Sequence, residues 1–208
     1  MKQFGHIKNV FAPEVVDNLL GILNRLPNTP NSGNLSRAYT NGFQPGDPAY
    51  LAVRRIVLDP LERLFDNQLP RLHVGMFLKE HTPWEIHSDY NKGDQNPNVA
   101  ILIPLQIISD DSAGKTHTII FNEQSTDNSM QDYLKSNPIV PKYPATELHQ
   151  QYLDHVPEEQ LNYLSLALVA EWSPGDVIYW DRRLLHASDN FVKNGVGEKY
   201  ALVLFFTD

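Results

Sequence analysis

The chain has 208 residues, 41% hydrophobic and 20% charged, which suits one globular domain with a sizeable core and excludes intrinsic disorder as its general state. A formal charge of −8 and a pI near 5.4 count against sequence-independent nucleic-acid binding, which needs clustered Lys and Arg; the tight basic pairs here are Arg54-Arg55 and Arg182-Arg183. The absence of cysteine excludes disulfides, thiolate metal sites and a cysteine nucleophile, so any metal must be held by His, Asp or Glu.

The opening MKQFGHIKNVFAPEVVDNLL carries acids and polar residues where a signal peptide needs an unbroken apolar stretch. The longest apolar run, Val99–Ile108, is well short of the roughly 20 residues that cross a bilayer, and we expect a cytoplasmic protein that does not engage membranes. From Phe11 onward, Val15, Val16, Leu19, Leu20, Leu23 and Leu26 form one apolar stripe at helical spacing, closed by Pro27. Asp47-Pro48 and Asp59-Pro60, the latter with Glu62 at the third position, are helix-start signals for a broken helix carrying Leu51, Ile56, Leu61, Leu64 and Phe65. Residues 1–70 are therefore expected to be a helical support layer within a single domain spanning 1–208.

After Pro70 the period changes to two. Leu72, Val74, Met76 and Leu78 alternate with His73, Gly75, Phe77 and Lys79, which predicts a strand with one buried face. Further strands are predicted at Trp84–Asp89, Val99–Ile108, Thr116–Phe121, Tyr163–Trp172, Asp176–Trp180, Leu184–Ser188 and Lys199–Thr207, with turn-rich NKGDQNPN, DDSAGK, SPGD and KNGVGE between several of them. That makes eight strands over 71–208, the jelly-roll number, and the expected fold is mainly β: a cupin-like jelly roll, or double-stranded β-helix, with N-terminal helices. A polar interruption at about 122–162, with helix-like MQDYLKS and VPEEQLNYL, reads as a lid or rim over a cavity; its His149 and His155 fit a surface excursion better than a ligand set.

Among the eight histidines, only His87 stands in a His-x-Asp pattern, His87-Ser88-Asp89. Composition alone produces about half such a match per chain of this size, so the tripeptide needs its context. It closes the predicted strand WEIHSD, where side chains at i and i+2 share a face, so one imidazole and one carboxylate point the same way. His186, in WDRRLLHASDNF after a Pro-Gly-Asp turn, offers the third ligand. Two His and one carboxylate form the facial triad that suits non-haem Fe(II) and keeps coordination positions open, although zinc is compatible with the same ligand types.

With these residues the sequence resembles the Fe(II)- and 2-oxoglutarate-dependent oxygenases, whose double-stranded β-helix carries an HxD…H triad. SPGDVIYWDRRLLHASDNF and GEKYALVLFF are similar to that family's C-terminal half in order and spacing, and FAPEVVDNLL looks like its leading helix, so the resemblance covers most of the chain. It implies that His87, Asp89 and His186 hold Fe(II), that 2-oxoglutarate chelates it through its C1 carboxylate and keto oxygen, and that O₂ takes the last position. It also implies that Lys199, opening the last strand, pairs with the far carboxylate of 2-oxoglutarate, as in the prolyl-hydroxylase-like branch. Lys115 is the rival anchor, since JmjC-like branches hold the cosubstrate from that earlier strand. Asp89 stands where related halogenases have a small residue, which favours hydroxylation. GMFLKE offers Phe77, Leu78 and Lys79 where many prolyl-hydroxylase-like members have a tyrosine, so a second contact to the cosubstrate is unassigned.

The plainer readings are an ordinary turn pair for His87 and Asp89, a core histidine for His186, and an edge-strand lysine for Lys199. Trp84, Tyr90, Tyr179 and Trp180 flank the triad as pocket lining or as core; Arg182 and Arg183 either meet an anionic substrate or face solvent; His73, His81 and His117 read as structural. The competing function is a cupin-type metal or small-molecule binding jelly roll without oxidative turnover. A small-molecule or peptide substrate is expected; a peptidyl proline, a free amino acid and a small metabolite fit the sequence equally, and no feature speaks to oligomeric state.

Overall fold

The computed structural model describes residues 2–26, 43, 46–90, 99–110, 114–125, 133 and 146–207, and the backbone of 28–30 and 37–40. Its strands are β1 (Phe4–Ile7), β2 (Asn28–Pro30), β3 (Arg37–Thr40), β4 (Arg71–Glu80), β5 (Val99–Ser109), β6 (His117–Gln124), β7 (Leu166–Glu171), β8 (Val177–Asp181), β9 (Leu184–Ser188) and β10 (Val196–Thr207). A seven-stranded sheet runs β1-β8-β5-β10-β4-β3-β2 and a three-stranded sheet β7-β6-β9, with every pairing antiparallel. The result is a mainly β, jelly-roll-like fold of two sheets.

The apolar run Val99–Leu105 explains how the layers stack. A strand is apolar on both faces only where both are covered: Val99, Ile101, Ile103 and Leu105 pack into a cluster with the helices, while Ala100 and Leu102 pack toward the small sheet. Pro104 cannot donate to the ladder, and the register of β5 against β10 shifts beside it, between Tyr200 and Ala201. β4 is likewise covered on both sides. Phe77, expected on an exposed face, is fully buried in the helical cluster, and Gly75 lies so close to Phe43 that a Cβ there would collide with the Phe43 ring.

Helix α1 (Pro13–Leu23) buries Val16, Leu19, Ile22 and Leu23, the face the stripe predicts; Pro27 lies outside the described residues. Helices α2 (Pro48–Val53) and α3 (Asp59–Leu64) are joined by a π-helical turn, Arg54–Leu58. Asp59-Pro60 therefore does not start a separate helix. The Asp59 N–H reaches back to Arg54 O, a wide step that carries the helical path past Pro60, which has no N–H to give. The N-terminal third is also not purely helical: β1 extends the large sheet beside β8, and β2 and β3 extend it beyond β4. These strands are three or four residues long, too short to show a period, and they form by pairing with distant partners.

The described part of the 122–162 segment has helical turns at Thr146–Leu148, His149–Leu153 and Glu158–Leu161. Leu153, Val156, Leu161 and Leu164 pack on Ile119 and Phe121 of β6 and on Leu185 and Ala187 of β9. These strand residues alternate with Ile120 and Leu184, which face the inter-sheet core. The segment thus covers the outer face of the small sheet, and its described part is a buttress where a lid or rim over a cavity was expected. Most of MQDYLKS and all of NKGDQNPN lie outside the described residues. No described helix is long and apolar enough to cross a membrane.

Candidate metal centre

The structure brings together His87, Asp89 and His186: one potential ligand atom from each lies within 4.8 Å of the others, and this is the only such His/carboxylate group among the described residues. His186 stands on the inner face of β9. His87 and Asp89 come from the segment after β4, predicted as a strand and found to make a single bridge, His87 to His186, with N–H···O distances of 3.0 and 2.8 Å. No ladder forms because side chains take several of the backbone groups. The Trp84 N–H donates to Ser188 Oγ (2.6 Å), Trp84 O accepts from His155 Nε2 (3.1 Å), and Asp89 O accepts from Arg182 Nε and Nη2 (3.1 and 2.6 Å). The Asp89 N–H completes the docking on Arg182 O at 2.9 Å. His87 and Asp89 nevertheless share a face, as their spacing predicts.

Each imidazole is oriented by its own backbone. His87 Nδ1 donates to Glu85 O (2.7 Å) and His186 Nδ1 to Leu184 O (3.0 Å). A carbonyl oxygen only accepts, so Nδ1 is the donor in each ring, and in the neutral form the Nε2 lone pair turns inward. His186 Nε2 then faces Asp89 Oδ2 at 3.3 Å, and His87 Nε2 faces Asp89 Oδ1 at 3.9 Å. With neutral imidazoles, the 3.3 Å approach sets two acceptors against each other, an arrangement that a cation between them relieves. Such spacings match ligand atoms around one divalent ion, which sit about 3–4 Å apart. Trp180 Nε1 donates to Asp89 Oδ2 at 3.1 Å, and the rings of Trp84, His87, His186 and Trp180 succeed one another at centroid spacings of 5.2, 4.4 and 4.8 Å. Donors that fix ligand orientation in this way are a usual part of metal sites.

The flanking residues separate by face. Trp84 and Trp180 lie at the triad, whereas Tyr179 points into the helical cluster against Phe65. Arg182 is buried and grips the Asp89 carbonyl, and Arg183 pairs with Asp181 at 2.5 Å, so each has a protein partner. His117 donates to Asp189 (2.7 Å) and meets the Tyr152 ring edge-on, a structural role.

The two candidate anchors differ sharply. The Lys115 side chain is 61% exposed and pairs with Glu171 at 2.9 Å on the surface. Lys199 is 1% exposed and stands on the inner face of β10 with its Nζ 3.0 Å from Glu80 Oε2. Glu80 and the grip of Arg182 on Asp89 escaped the sequence reading. The face that carries half-buried Val74 and Met76 and buried Leu78 continues to position 80, but a charge at the end of that alternation reads equally as the strand leaving the core.

No family model matches the chain, and no match was found among curated proteins. Solved structures do match along nearly its whole length. The non-haem alpha-ketoglutarate-dependent epimerase SnoN of nogalamycin biosynthesis is 12% identical, with a TM-score of 0.60, 99% of this chain covered and 78% of that one. HygX of Streptomyces hygroscopicus, solved with nickel and 2-oxoglutarate, is 17% identical, with a TM-score of 0.57 and coverages of 99% and 82%. A Pseudomonas putida prolyl-4-hydroxylase is 11% identical, with a TM-score of 0.53 and coverages of 99% and 92%. At these identities the likeness is one of fold: the chain has the jelly-roll-like architecture on which these enzymes are built. HygX has also been solved with hygromycin B and SnoN with nogalamycin RO.

Proposed function

We propose that the protein is a non-haem Fe(II)- and 2-oxoglutarate-dependent oxygenase in which His87, Asp89 and His186 hold the iron. The observation that carries this reading is the approach of His186 Nε2 to Asp89 Oδ2 at 3.3 Å, beside His87, on a fold shared with 2-oxoglutarate-dependent enzymes. Iron held by His87, Asp89 and His186 would supply the oxidising chemistry, drawing on a 2-oxo acid and O₂. The chain's own residues do the rest. The two Nδ1–H bonds fix both rings, Trp180 and Arg182 hold Asp89 by side chain and backbone, and Lys199 provides a buried positive charge for the far carboxylate of the cosubstrate. Hydroxylation of a C–H bond is the proposed outcome, because a carboxylate occupies position 89. The substrate we propose is a small molecule, as bound by HygX and SnoN.

The test is anaerobic loading with Fe(II) and 2-oxoglutarate followed by O₂, with succinate as the readout. Wild type should form succinate, and Asp89→Ala and His186→Ala should lose at least about a hundredfold of that turnover. Metal uptake without succinate would instead identify a binding jelly roll.

A further inference from the structure

Lys199 and Glu80 are directly opposed across β10 and β4, and both are almost wholly buried, at 1% and 4% exposure. The ammonium is 3.0 Å from Glu80 Oε2, and its other near neighbours are the ring faces of Trp172 (4.1 Å) and Phe191 (4.6 Å). The other carboxylate oxygen, Oε1, accepts from Trp84 Nε1 at 2.9 Å, and the Trp84 ring lies against His87. A buried charge is kept charged by a partner, and the chain supplies its own: the cation expected to meet the cosubstrate is already neutralised. The pairing is imperfect, however. Glu80 Oε2 is buried and, despite the 3.0 Å approach of Lys199 Nζ, the pair does not have the geometry of a well-formed hydrogen bond. A dicarboxylate reaching Lys199 brings a second negative charge beside Glu80, where little water is present to screen the repulsion.

We infer that Glu80 is a specificity-determining residue that competes with the distal carboxylate of the 2-oxo acid for Lys199, holding down affinity for dicarboxylate 2-oxo acids. The inference rests on the proposed function, and the experiment separates the two. Wild type and Glu80→Gln are loaded with Mn(II) as a redox-silent metal, and binding of 2-oxoglutarate and of pyruvate, which has no distal carboxylate, is measured by calorimetry. Glu80→Gln should bind 2-oxoglutarate at least about tenfold more tightly than wild type and pyruvate equally well. Freed of its partner, Lys199 should also lower the melting temperature of unliganded Glu80→Gln, and saturating 2-oxoglutarate should restore it. If the variant does not fold, Glu80→Asp, which withdraws the charge by one methylene, should show a smaller tightening of the same selectivity. Unchanged or weaker 2-oxoglutarate binding by the folded variant, while Lys199→Met binds more weakly than wild type, overturns the competition and leaves the proposed function standing. Mn(II) uptake with no 2-oxoglutarate binding by any form overturns both.

Discussion

At the scale of single residues, the cluster of His87, Asp89 and His186 is held by bonds from outside the His87-Ser88-Asp89 tripeptide. The indole of Trp180 reaches an Asp89 oxygen and the guanidinium of Arg182 reaches the Asp89 carbonyl, so the carboxylate is fixed from two sides. Trp180→Phe keeps an aromatic ring, though a smaller one, and removes the donor, and should weaken Mn(II) or Fe(II) binding about 10- to 100-fold with an unchanged circular-dichroism spectrum. Unchanged metal affinity would show that the indole N–H does not orient Asp89. A second residue ties the centre to pH. Burial holds the His155 ring below the usual imidazole range, against the pull of its bond to Trp84 O. The folded chain then takes up a proton there less readily than the unfolded chain, so the stability present at neutral pH is lost as pH falls below about 6.5, the unfolded value. The urea midpoint should drop more between about pH 7.5 and about pH 5.5 for wild type than for His155→Gln. Equal drops would assign the acid sensitivity elsewhere.

At the scale of elements, legibility in the sequence follows length and period. The stripe of α1 and the apolar run of β5 repeat often enough to be read, and both lie where expected. The segment around His87 reads as a strand because its side chains alternate, but its backbone is satisfied by Ser188, His155 and Arg182, partners that only the folded chain brings near. That His87, Asp89 and His186 come together was legible because these residue types carry a distinctive chemistry. The Glu80–Lys199 pair was not, since a charge at the end of an apolar alternation reads as the strand leaving the core. Gly75 is a similar case: only the structure shows Phe43 packed on it, with paired backbone bonds of 2.7 and 3.0 Å. Gly75→Ala should cost about 1–3 kcal/mol in urea unfolding, with partial recovery in a Phe43→Leu background. A neutral Gly75→Ala would mean the contact relaxes freely. Likewise Leu153→Ala, fully buried under the small sheet, should cost about 2–5 kcal/mol if the buttress is integral to the fold, and much less if it is a detachable excursion.

At the scale of the molecule, four layers set the site: helices, the large sheet, the small sheet and the buttress. His186 belongs to the small sheet, while His87 and Asp89 belong to the chain leaving the large sheet at Glu80. A metal bound by all three therefore ties the two sheets together at one edge. Metal that binds only the folded form should raise the melting temperature of wild type and leave that of Asp89→Ala unmoved. The measurement that bears most directly on the proposed function is anaerobic titration of Fe(II) into the protein with 2-oxoglutarate present, followed by visible absorption. One equivalent of Fe(II) should produce a charge-transfer band that requires 2-oxoglutarate and is absent from His186→Ala. Its absence from the wild-type protein at saturating Fe(II) and 2-oxoglutarate, or its presence at equal strength in His186→Ala, would contradict the assignment of the centre.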